Sequence, residues 1–374
     1  MVLIYGMTAS ELYYFICKCL VMDKDPGAAR LVNAQLNAGR MPWEDLVWMG
    51  SSHLVLPALY SAFKRNKLLQ LLPHDLSEYL EEIYQLNLNR NRSILKQAKE
   101  ITHLFHEAGI EPVFLKGVAY LLQDLYPDAG DRVMTDIDIL IHPDQMQQAA
   151  EILYRNGYAH PEEFAGDDFG KHHHLPGFEK PGEVAMVELH HTALAGSYGK
   201  LLKNEEIFSN LTKIEGLNAS VLSLKHQIIL SFVHEELVDD DYRYRSVQIK
   251  GLYDFYQLSC LGMAAPASVS VTGYNKKYNA YCFLVAEAFN LPTQKNYAAG
   301  RAARKYKRQV DYLLDHPKLG SMYQLAVLYR IRIQVVLGTL ITAPFSRSAR
   351  LYFKKKAGSI PALKKYLKGL KNEL

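Results

Sequence analysis

Apolar residues recur at helical spacing along most of this chain, but between Gly109 and His191 the period shortens, and that island constrains the fold more than any other feature. Pro112-Val-Phe-Leu115 reads as a short buried strand, Val118 to Leu125 as a helix and Asp136 to Ile141 as a second strand. Pro143 to Arg155 reads as a helix that starts on proline and stops at Asn156-Gly157. His172 to Phe178 and Val184 to His191 read as a hairpin joined through Glu179-Lys-Pro-Gly-Glu183. Few strands inside a helical chain predict an α+β fold, with a small mixed-sheet core between helical regions.

Three stretches follow. Residues 1–108 form an N-terminal helical region, in which Thr8-Ala-Ser-Glu11 is a capping-box pattern. There Leu76 to Phe105 is one amphipathic helix with Asp75 as its N-cap. Residues 109–198 form the α/β core, and 199–374 a C-terminal helical region with a basic tail. Its expected helices are Leu222 to Leu237, Val247 to Leu261, Lys276 to Phe289, Arg301 to Leu314 and Tyr323 to Leu340.

At 374 residues, with 49% hydrophobic and 22% charged residues, the chain can bury a substantial core, which argues against disorder over most of its length. The net charge of +4 hides an asymmetry: from Arg301 onward there are 17 lysines and arginines against three acids, a formal +14 that leaves −10 for residues 1–300. Such a tail is either a set of solvated helix faces or a footprint for an acidic partner such as RNA or phospholipid headgroups. Cys17, Cys19, Cys260 and Cys282 have no paired metal spacing and are expected reduced. The N-terminus lacks a basic n-region, so a cytoplasmic location is expected. Ile333 to Phe345, the longest apolar run, is too short for a membrane span and is read as a buried helix, with a basic interfacial helix as the alternative.

Chemistry concentrates in the island. Side chains alternate faces along a strand, so Asp136 and Asp138 point one way while Ile137 and Ile139 point the other. Lys116-Gly117 closes the preceding strand and opens a helix, where backbone N–H groups and the positive helix end can face phosphate. Arg132 either takes phosphate oxygens in a bidentate grip or pairs with Asp128 or Asp131. In Val187-Glu-Leu-His190, Glu188 and His190 share a face. If that strand lies beside Asp136–Ile141, Glu188 completes a three-acid cluster whose mutual repulsion divalent cations would relieve.

These motifs, Leu-Lys-Gly, then Arg-x-Met-Thr-Asp-Ile-Asp-Ile-Leu, then Val-Glu-Leu-His, resemble the minimal nucleotidyltransferases of the polymerase-beta superfamily. More narrowly, they resemble the bacterial uncharacterised nucleotidyltransferases with flanking helices, related to abortive-infection transferases. The match is close over Phe114 to Ile141 and looser through His191. The resemblance implies metal ligation and catalysis by Asp136, Asp138 and Glu188, with Mg2+ or Mn2+ as cofactor. It also implies contacts to an NTP near Lys116 and Gly117, and a hydroxyl-bearing acceptor. The chain departs from many members at the turn, where Val118 stands in place of a second glycine or a serine, and at Glu188, where aspartate is frequent. Leu252-Tyr-Asp254 resembles an acidic position in the family's later helices.

Two other readings compete. His172, His173 and His174 form a histidine run in which His172 and His174 would share a face and, with His190, bind zinc. A catalytically silent nucleotidyltransferase-fold protein would instead bind nucleotide, RNA or an acidic partner through its basic C-terminal region. His234-Glu235-Glu236 does not make a metalloprotease motif, because Val238 follows His234 at the fourth position.

Overall fold

The computed structural model describes residues 6–161, 173–262, 265–291 and 300–342. Helices α1 (Ala9–Cys19), α2 (Pro26–Asn37), α3 (Trp43–Ser52) and α4 (Leu56–Arg65) open the chain. The capping box is formed: Thr8 Oγ1 accepts from the Glu11 N–H at 3.2 Å, and Glu11 returns a bond to the Thr8 N–H at 2.7 Å. Helix α5 (His74–Glu107) runs for 34 residues, about 50 Å at 1.5 Å per residue. Leu80, Tyr84, Leu88, Asn91, Ile94, Ala98, Ile101 and Phe105, at spacings of three and four, make its buried stripe.

The sheet begins with β1 (Val113–Phe114), continues through α6 (Lys116–Leu122) to β2 (Asp136–Leu140), and crosses by α7 (Met146–Arg155) to β3 (Met186–His190). A short α8 (Asn204–Phe208) leads to β4 (Leu211–Lys213) and β5 (Ser220–Leu222). The strand order is β3-β2-β1-β5-β4. The β2–β3 and β1–β5 pairs are parallel, and β1–β2 and β4–β5 antiparallel, so the sheet is mixed.

Strands β4 and β5 lie beyond residue 198, where helices alone were expected. Three-residue strands carry too few alternations to register as a period. The expected hairpin is irregular. Residues 173–179 do run antiparallel to β3, but through isolated bridges, His174 to His190 and Phe178 to Val187, whose registers differ by one residue. Pro176, with no N–H to donate, sits between the bridges, and Gly177 leaves room there for the Met186 side chain. His172 and Lys171 lie outside the described residues.

Beyond the sheet come α9 (Leu224–Val233), ending in a π turn (His234–Val238), then α10 (Asp241–Tyr244), α11 (Ile249–Leu261), α12 (Ala265–Ser268), α13 (Asn275–Phe289), α14 (Arg301–Asp315) and α15 (Pro317–Thr342). The two helical regions pack on each other. Tyr13 Oη donates to the Val247 carbonyl at 2.9 Å, and Ser10 gives Asp315 a backbone and a hydroxyl hydrogen bond at 2.8 and 3.0 Å. Among the described residues no helix is long and apolar enough to cross a membrane. The run from Ile333 departs from the expected burial, with Ile333, Val335, Leu337 and Ile341 exposed on α15. The four cysteines are free, and all but Cys260 are buried.

Candidate active site

Parallel pairing of β2 with β3 sets Asp136 opposite Met186, Asp138 opposite Glu188 and Leu140 opposite His190. Residues that share a register row in parallel strands project to the same side of the sheet. Asp138 and Glu188 therefore stand side by side, with Asp136 and His190 one step along on either hand. The expected adjacency of the two acid-bearing strands is the one observed.

His190 is the residue that binds this row together. Its Nε2 lies 2.7 Å from Asp138 Oδ1 and 3.5 Å from Glu188 Oε2. His174, across the irregular return, brings Nε2 to 3.9 Å from the same Glu188 oxygen. Lys116 Nζ reaches Asp138 Oδ1 at 3.2 Å. One donor atom each from Asp138, Glu188 and His190 lies within 4.8 Å of the other two. Two carboxylates and an imidazole converging at the edge of a sheet fit a divalent cation. Asp136 stands beside this group and is the more accessible acid, whereas Asp138 is buried.

The charges are strongly coupled. Burial works to raise Asp138, but Lys116 and the bond from His190 outweigh it and hold this carboxyl well below the ordinary range. Asp136 goes the other way: burial and the neighbouring Asp138 charge lift it. The hydrogen bond from His190 lowers Glu188. Burial would depress both Lys116 and His190, yet both are raised: Asp138 and Asp136 hold Lys116 protonated, and hydrogen bonds to Asp138 and Glu188 do the same for His190. Burial and the adjoining His190 and His174 push His173 down to about 3. The two aspartates shift in opposite directions because only Asp138 has Lys116 and His190 in direct contact.

The turn before the site is built differently from what the glycine suggested. The left-handed conformation falls on Lys116, with φ +47°. A residue with a side chain gives up about 1–2 kcal/mol there, a cost that recurs at functional positions. Gly117 serves close approach instead: a Cβ there would stand 2.4 Å from Arg132 Nη1 and 3.2 Å from Met134 Cβ.

Arg132 is likewise placed otherwise than expected. Its partner is neither Asp128 nor Asp131 but Asp254 on α11, which accepts from Nε and Nη2 at 2.9 Å each. Asp254 also accepts from Tyr126 Oη, and the guanidinium lies over the Tyr120 ring at 5.3 Å. Arg132 is 6% exposed, so this fork is committed to the protein interior. Asp254 thereby clamps the loop that leads into β2. A second clamp comes from α5, where Arg90 donates to the carbonyls of Met134 and Val184 at 3.3 and 3.2 Å, joining the approaches to β2 and β3. The Leu-Tyr-Asp motif was a sequence signal for Asp254, but the residue it reaches was not.

A mixed sheet with paired acids on adjacent strands, flanked by helices on both sides, has the α+β fold of a nucleotidyltransferase. The chain belongs to a family described as uncharacterised nucleotidyltransferases, whose model matches residues 40–264. Searches of curated proteins and of solved structures found no match.

Proposed function

We propose that the protein is a metal-dependent nucleotidyltransferase that moves a nucleoside monophosphate from an NTP to a hydroxyl-bearing acceptor. The observation that carries this reading is the register row joining Asp138 to Glu188, with Asp136 on the same face and Lys116 at the adjoining strand-to-helix turn. In the reaction the acceptor oxygen bonds to the α-phosphorus as the bridge to the β-phosphate breaks. Pyrophosphate leaves and the acceptor proton passes to the carboxylate cluster. Asp136, Asp138 and Glu188 would hold Mg2+ or Mn2+, which supplies charge neutralisation at the triphosphate and activates the acceptor hydroxyl. Lys116 counters charge on the phosphates, and its position on the turn aims the α6 N–H groups toward them. Arg132 acts from behind Gly117 by fixing the turn, not by touching phosphate. The helical regions line the approach and select the acceptor, and the basic C-terminal stretch draws in an acidic partner.

Purified protein incubated with Mg2+ and each labelled NTP tests the reading. Pyrophosphate release that is abolished in Asp138→Asn and Asp136→Asn supports it. Neither release nor substitution-sensitive nucleotide binding sinks it. A salt-sensitive interaction with RNA or another polyanion that survives both substitutions would favour a silent nucleotidyltransferase-fold binder.

A further inference from the structure

We infer that the cation position beside Asp138 and Glu188 is a mixed histidine–carboxylate one, with His190 as a direct ligand, and that it prefers a first-row transition ion such as Mn2+ to Mg2+. The inference rests on the cation-dependent reading above but assigns a ligand and an ion class that the acidic motif does not imply.

Geometry comes first. Two donors each about 2.1 Å from one ion stand about 3.0–3.4 Å apart for right-angled to tetrahedral arrangements. Glu188 Oε2 and His190 Nε2 are already 3.5 Å apart, and Asp138 Oδ1 is 2.7 Å from the same nitrogen. His190 is 1% exposed and takes this position on a strand paired along its length with β2, so the ring is held at the carboxylates by the fold. Asp136, the acid that the strand pattern ranks equally with Asp138, does not join the converging donors.

The histidines around it point the same way. The His174 and His190 ring centroids are 5.1 Å apart, as are those of His173 and His190. His174 Nδ1 donates to the Leu175 carbonyl at 2.7 Å, while its Nε2 stands 3.9 Å from Glu188 Oε2. A backbone carbonyl holding one ring nitrogen while the other faces the site is the usual way a metal-ligating imidazole is oriented.

Ion preference follows from donor chemistry. Mg2+ favours an all-oxygen, near-octahedral shell, whereas imidazole nitrogen raises affinity for the first-row transition ions. To ligate, His190 Nε2 exchanges its 2.7 Å contact with Asp138 Oδ1 for a bond to the ion, which that oxygen can share, while Lys116 Nζ stays 3.2 Å from the same oxygen.

The test is Mn2+ binding to the full chain, followed by electron paramagnetic resonance with electron spin-echo envelope modulation. The expected results are a directly coordinated 14N signal and Mn2+ affinity at least about tenfold above that of Mg2+ in competition. His190→Gln should abolish the nitrogen signal, and His190→Glu, whose carboxylate oxygen stands as many bonds from Cβ as Nε2 does, should bind the ion through oxygen with the Mn2+ preference gone. Circular dichroism confirms that each variant is folded, and His174→Gln reports whether a second nitrogen contributes. Nucleotide transfer with Mn2+ bound through oxygen alone would overturn this inference and leave the proposed activity standing. A 14N signal without pyrophosphate release would do the reverse. Equal Mn2+ and Mg2+ affinities, or an unchanged nitrogen signal in His190→Gln, would also overturn it.

Discussion

Replacing Asp254 by alanine would strand the Arg132 guanidinium, which is buried and bonded through both Nε and Nη2 to that one carboxylate. Removing one partner of a buried ion pair costs about 3–5 kcal/mol, because the remaining charge keeps its desolvation penalty and loses its compensation. Unfolding entropy near 2.1 cal/mol/K per residue gives this 374-residue chain roughly 0.8 kcal/mol per kelvin if it unfolds as one unit. The expected fall in Tm for Asp254→Ala is therefore about 4–6 °C by calorimetry. Tyr126 Oη, which also donates to Asp254, loses its acceptor and adds to the loss. The double variant Arg132→Met/Asp254→Leu removes both charges and should recover most of the stability, since apolar replacement of a whole buried pair is often neutral. A Tm within 1 °C of the wild type for Asp254→Ala, or no recovery in the double variant, would show that the loop before β2 is not held by this pair.

Gly117→Ala drives a methyl group into Arg132 Nη1, and it should cost about 1–3 kcal/mol and be less than additive with Asp254→Ala in a double-mutant cycle, since both act on one guanidinium. Burial raises Glu236 to about 8 despite its bonds from Tyr306 Oη. Between an unfolded value near 4.3 and that point, the folded chain keeps a proton that the unfolded chain releases. Stability should fall as pH rises through this window, and Glu236→Gln should flatten the profile of Tm against pH from 5 to 9. Asp241, raised to about 9 by burial and by Glu235 and Glu236, leaves a residual slope of the same sign. Thr8→Ala removes one half of the capping box on α1 and should lower stability by about 1 kcal/mol in urea titrations.

Alternation along Asp136–Leu140 and Met186–His190 was enough to place Asp138, Glu188 and His190 on one face, because strand periodicity is local and needs only the pairing of two strands to become a site. Two helix ends were legible for the same reason: the Thr8 cap and the Asn156-Gly157 stop are contacts within a few residues, and both are formed, whereas Asp75 is not the expected cap, since α5 already starts at His74 behind Pro73 and Asp75 lies in its first turn. What the sequence could not show is who meets whom across long separations. Arg132 and Asp254 are 122 residues apart, and nothing in either neighbourhood encodes the other. Gly117 illustrates a subtler case. A glycine at a turn suggests positive φ, yet here Lys116 takes that conformation and the glycine answers to a side chain from a later loop. Burial of the run from Ile333 was likewise a tertiary matter, not decidable from hydropathy.

The strand order β3-β2-β1-β5-β4 carries a consequence for modularity. The acids lie on one wing of the sheet, while the central strand β1, two residues long, is closed on its other side by Ser220–Leu222. A fragment trimmed at residue 198 would retain every acid of the site and still leave β1 with an open, sticky edge. The nucleotidyltransferase-fold core is thus not a cassette that can be cut out and grafted elsewhere. Its acid-bearing wing is fastened to the second half of the chain twice, by a strand that completes the sheet and by a helix whose aspartate grips the loop before β2.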